Sequence, residues 1–101
     1  MEYYVNWLPS SEKTYIREMD FILEKWNINE VVKFSNLVQK SIIRLAKNPL
    51  IGIYRNDIKS YSFVISKQTT LFYDIIENKH QIDLIVFWNN LKDPEDLLKL
   101  L

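Results

Sequence analysis

Arg55 stands just ahead of a strand-like run that holds Lys59 and Lys67, and Asn89, Asn90 and Lys92 follow a second, more apolar run. Cations set along a sheet suit one kind of chemistry. They grip a phosphate or a carboxylate, a guanidinium at two points and an ammonium at one. Proton transfer needs further groups, and few are present. The single histidine, His80, falls in a predicted hairpin turn, where a side chain is ordinarily solvated. Tyr73 has apolar neighbours and reads as core rather than catalyst. Asp83 interrupts the run Ile82–Leu84. A cation on a neighbouring strand, Lys59 or Arg55, would pair with it; a role as general base is the other reading. With no cysteine there is no disulfide, no thiolate metal site and no cysteine nucleophile. One histidine does not make an ordinary zinc site, and neither metal nor cofactor is expected.

The 101 residues suffice for one domain, 1–101, with one modest core, and 48% hydrophobic residues make burial worth its entropic cost. Lysines and arginines number 13, as do aspartates and glutamates, so the chain is neutral. A domain that lives on phosphate contacts is usually basic, which lowers the expectation of nucleic acid as the main partner. The N-terminal residues lack the pattern of a signal peptide, and no apolar run reaches the length of a membrane span. A cytoplasmic protein is expected, with no membrane partner.

The elements that must position the cations follow from periodicity. Glu2–Leu8 reads as a strand. Pro9, Ser10 and Ser11 then open a helix, with a serine expected as its cap and Tyr15, Ile16, Met19, Ile22, Leu23 and Trp26 as its buried stripe. Arg17, Glu18, Asp20, Glu24 and Lys25 fall mostly on the other side. Asn27 or Asn29 caps a second helix with Val31, Phe34, Val38, Ile42 and Leu45 inward, and Asn48-Pro49 ends it. Residues 49–57 read as an irregular connection bending at Gly52. Strands are expected over 58–67, 70–77 and 81–88, the last apolar on both faces like an interior strand. Trp7, Trp26 and Trp88 follow the apolar stripes and read as packing residues. Asp93-Pro94 starts a last helical turn. The result is an α+β domain of two layers, β-α-α-β-β-β. A mostly antiparallel four-stranded sheet carries a helix hairpin on one face and leaves the other bare.

That order resembles the RelE/ParE superfamily, the toxins of bacterial type II toxin–antitoxin systems. The resemblance covers nearly the whole chain. It rests on the early strand ending in Trp7, on the second helix closing as IIRLAKNPLIGIYR, on the strands IKSYSFVI and TTLFYDIIENK, and on the ending IDLIVFWNNLKDPEDLLKLL. It implies a cognate antitoxin that holds the protein inactive, in a heterotetramer or beside a homodimer. It also implies a target, either DNA gyrase, inhibited by binding, or the ribosome, where messenger RNA is cut. Relatives that cut RNA place arginines and lysines on the sheet and a tyrosine or histidine near the C-terminal end. Here Arg55, Lys59, Lys67 and Lys92 are the candidate catalytic cations, and together with Asn89 and Asn90 the candidate binding set. An asparagine stands after Trp88 where a Phe-Trp subgroup would carry arginine, and Lys59 stands where the family often has arginine. The departures favour a growth inhibitor that binds (ParE-like) over a RelE-like endoribonuclease. A non-toxic binding module of the same fold is the third reading.

Overall fold

The computed structural model describes residues 2–101. A first strand, β1 (Tyr4–Trp7), leads into the helices α1 (Pro9–Lys25) and α2 (Ile28–Lys47). The sheet then continues through β2 (Ile53–Arg55), β3 (Ser60–Val64), β4 (Thr69–Ile76) and β5 (Gln81–Asn89), and a short α3 (Pro94–Leu100) ends the chain. The sheet has five strands in the order β1-β5-β4-β3-β2. β1 runs parallel to β5, and every other pair is antiparallel. The α+β architecture and the helix hairpin are those expected from the sequence, and residues 60–89 form three consecutive antiparallel strands.

The extra strand is β2, in a segment the sequence suggested was irregular. Asn48 and Pro49 do stop α2, and a short 3-10 turn, Pro49–Ile51, follows. Gly52 then lets the backbone lie against β3 and β4, so Ile53 pairs with Ser62 and Arg55 with Ser60. Gly52 is extended, with φ −77°. What the site demands is not a left-handed backbone but the absence of a side chain: a Cβ there would stand 2.3 Å from the Tyr73 hydroxyl oxygen and 2.8 Å from the Ser62 carbonyl oxygen.

The main core lies between hairpin and sheet. Ile22, Phe34, Val38 and Leu45 from the helices meet Leu71, Tyr73, Ile82, Leu84 and Phe87 from β4 and β5. α2 keeps the phase its sequence announces, and Asn27 caps it by accepting the Glu30 N–H at 3.1 Å. α1 does not keep its phase. Its buried residues are Ser11, Thr14, Glu18 and Ile22, while Ile16 is 54% and Leu23 48% exposed.

The reason is a bulge in β5. Tyr73 pairs with Leu84 but Phe72 with Val86, so Ile85 is an extra residue with its backbone outside the regular ladder. α1 supplies what that irregularity needs. Ser10 Oγ donates to the Ile85 carbonyl at 2.5 Å, and the Phe87 N–H donates to Thr14 Oγ1 at 2.9 Å. Small hydroxyl residues must therefore face the sheet, and some apolar residues turn outward. No serine caps α1. Leu8 is the cap and Pro9 opens the first turn, while Ser11 Oγ donates back to the Leu8 carbonyl at 2.7 Å. Thr14→Val strands the buried Phe87 N–H. It is expected to cost about 1–3 kcal/mol in chemical denaturation, whereas Thr14→Ser is expected to be much milder.

The bulge also turns Val86 and Trp88 to the second face of the sheet. There they form a smaller cluster with Phe72, capped by Leu97 of α3. The second face is therefore not bare: α3 covers the corner where these three large apolar side chains would meet water.

Candidate recognition surface

The candidate cations separate into two groups. Arg55 ends β2 and Lys59 sits in the turn before β3, whereas Lys67 lies in the turn after β3. At about 3.3 Å per residue the two ends of β3 are roughly 13 Å apart, too far for one phosphate to meet both groups. Arg55 is engaged with Asp57 at 3.4 Å, an exposed pair that contributes little to stability. Lys59 holds φ at +54°, a left-handed conformation unusual for lysine that directs the turn between β2 and β3.

Lys67, Asn89, Asn90 and Lys92 do come together, at the opposite end of the sheet. Asn90 binds the turn after β3 twice and β4 once. Its N–H donates to the Gln68 carbonyl at 2.7 Å, its Nδ2 to the Lys67 carbonyl at 3.1 Å, and its Oδ1 accepts from Thr70 Oγ1 at 3.0 Å. Buried Asn89 accepts the Leu91 N–H at 2.9 Å. The amides thus hold the loop that presents Lys67 and Lys92 instead of facing a ligand. Lys92 Nζ lies 6.0 Å from the centre of the Trp88 ring.

At the Arg55 end of β3 the second face carries a polar row with one residue from each strand, Asn6, Asp83, Asp74, Ser60 and Arg55. Asp74 and Asp83 are directly opposite each other in the register. The expected pairing of Asp83 with Lys59 or Arg55 is not what forms. Asp83 sits on β5 between β1 and β4, out of reach of those cations, and accepts from Asn6 at 3.0 Å and Gln81 at 2.7 Å. Burial raises the Asp74 carboxyl above the usual carboxylate range, and Asp83 adds to the rise; a hydrogen bond from Ser60 opposes it. A raised folded-state pKa means stability that is complete at low pH and is lost as pH rises through that pKa. Asp74→Asn is therefore expected to raise Tm at pH 7, by an amount worth about 0.2–1 kcal/mol, with the gain vanishing in acid. A Tm gain that is the same at both pH values would count against this account.

No protein-family model and no curated protein sequence matches the chain. Solved structures do. The toxin–antitoxin complex RelBE2 from Mycobacterium tuberculosis contains a chain that matches with a TM-score of 0.60 and 14% identity, over 88% of this chain and 99% of that one. A mutant of the Escherichia coli toxin RelE in the free state matches with a TM-score of 0.63 and 15% identity, over 98% of this chain and 92% of that one. The chain has the RelE fold.

On this RelE fold the tyrosine and histidine lie away from the rim. Tyr73 is buried, donating to the Pro49 carbonyl at 2.6 Å and accepting the Gly52 N–H at 3.1 Å. His80 is half-buried rather than simply solvated, stacked on Tyr3 with ring centres 3.8 Å apart at the far end of β5. Trp7 and Trp88 pack as the stripes suggest, but Trp26 is 47% exposed at the tip of the hairpin. Sequence reasoning missed Asp74 because alternation along β4 placed it without naming its cross-strand neighbour. Among the described residues no group of histidine or carboxylate side chains could hold a metal ion, and no helix is long and apolar enough to cross a membrane.

Proposed function

We propose that the protein is the toxin component of a bacterial type II toxin–antitoxin system. It acts in the cytoplasm, is neutralised by a cognate antitoxin, and inhibits growth by binding its target, DNA gyrase, instead of cutting RNA. The observation that carries the binding mode is the carboxylate pair Asp74–Asp83. It lies on the second face of the sheet, level with Ser60 and Arg55, so that a phosphate backbone laid on that face against Arg55 would meet negative charge. The neutral chain points the same way. The apolar side chains turned out by α1, and the leucines of α3, give an antitoxin surface to cover.

The test is supercoiling of relaxed plasmid by gyrase with purified protein. Loss of supercoiling, relieved by the antitoxin, is expected. Unchanged supercoiling at saturating protein overturns the gyrase reading. Primer extension on messenger RNA after induction addresses cleavage: codon-placed cuts that disappear in Arg55→Ala or Lys59→Ala make the protein an endoribonuclease. Expression without harm to growth leaves only the non-toxic binding module.

A further inference from the structure

α2 carries an uneven share of the charge of a neutral protein. Lys33, Lys40, Arg44 and Lys47 oppose a single carboxylate, Glu30, over its length. At 3.6 residues per turn these four cations fall within about 60° of one another, in a row of about 21 Å. Glu30 pairs with Lys33 at 3.2 Å, and the Arg44 guanidinium lies 5.5 Å from the centre of the Phe63 ring. Among the described residues no carboxylate lies within ion-pair distance of Lys40 or Lys47. The row's N-terminal end, Lys33, borders a groove of about 450 Å3 with an apolar floor that includes Ile22, Phe34 and Leu37; Glu30 and Lys67 also line it. Val32 and Ile43, more than half exposed, flank the row on its other side.

We propose that this row and groove dock an acidic amphipathic helix of a protein partner. Its carboxylates lie along Lys33, Lys40, Arg44 and Lys47, and one apolar side chain enters the groove beside Trp26. Charge complementarity selects an acidic partner. The apolar residues on both flanks select a protein over a nucleic acid, whose phosphates would leave them wet. The inference rests on the reading above only for the existence of a partner protein, to which it adds a place and a chemistry.

The probe is a fluorescein-labelled 18-residue peptide with leucines on one helical face and glutamates beside them. Its controls are the same peptide with lysine in place of glutamate and a single-stranded RNA of 18 nucleotides. Anisotropy at low salt is expected to show the glutamate peptide binding at least ~10-fold tighter than either control, with affinity falling as salt rises. Lys40→Glu and Lys47→Glu, both solvent-facing, are each expected to weaken it about 3–10-fold, and Lys13→Glu on α1 to leave it unchanged. Circular dichroism checks that each variant is folded. Equal binding of the two peptides, tighter binding of RNA, or a dimer that Lys40→Glu dissolves would each overturn the proposal. Growth inhibition by the Lys40→Glu variant is read separately. A wild-type protein that leaves growth unharmed but binds the glutamate peptide removes the toxin reading and keeps the docking surface.

Discussion

Gly52→Ala is expected to lower stability by about 3 kcal/mol in urea unfolding. The backbone angles at Gly52 suit alanine, so conformational strain is not the cause. The loss comes from contact, because the new methyl carbon would stand 2.3 Å from the Tyr73 oxygen and 2.8 Å from the Ser62 carbonyl. Moving Tyr73 aside breaks the two hydrogen bonds by which its hydroxyl closes the turn after α2, to the Pro49 carbonyl and from the Gly52 N–H. Tyr73→Phe alone strands those backbone groups at a cost of about 1–3 kcal/mol. In the double mutant the shorter of the two clashes is gone while that with Ser62 remains. Its loss should therefore fall short of the sum of the single losses by about 0.5–2 kcal/mol. Strict additivity would mean that the two sites do not meet as described.

The same tyrosine gives the fold an alkaline limit. Burial pushes the Tyr73 hydroxyl from 10.0 up to about 12, partly opposed by the hydrogen bond from Gly52. Because the folded-state pKa is raised, the contribution is complete below pH 10 and is lost as pH climbs towards 12. Tyr73→Phe should start less stable and lose less over that interval, which a series of denaturation curves from pH 8 to pH 12 would read.

Thr69→Val is expected to cost about 3 kcal/mol, the other large effect. Glu18 is only 3% exposed beneath α1, and Thr69 Oγ1 donates to its Oε2 at 2.6 Å. A buried carboxylate that loses its donor keeps the full penalty of leaving water. Thr69→Ser keeps the hydroxyl and should recover most of the loss. Thr69→Val combined with Glu18→Gln should be milder than Thr69→Val alone, since the uncompensated charge is gone. A loss below about 0.5 kcal/mol in Thr69→Val would show that the carboxylate finds another partner.

These two residues also mark where periodicity stops being a guide. Glu18 belongs to the polar side of α1 on any hydropathy count, yet it is buried. Ile16 and Leu23 belong to the apolar side, yet both are largely exposed. A pattern of apolar residues measures the average gain from leaving water. It carries no information about the backbone groups of Ile85 and Phe87, which sit far away in sequence and require hydroxyls from whichever helix covers them. α2 covers no such irregularity, and its periodicity was a sound guide.

By itself the sequence determined what is local: the strand–helix–helix–strand order, the Asn27 cap, the stop at Asn48-Pro49 and the apolar strands β4 and β5. Local steric preference and the period of burial act over a few residues, and a few residues suffice to read them. Only the tertiary structure decided the fifth strand, the division of the cations between the two ends of β3, the opposition of Asp74 to Asp83 and the phase of α1. Each depends on register, which sets which distant residues are neighbours; a bulge of one residue in β5 is enough to change the answer.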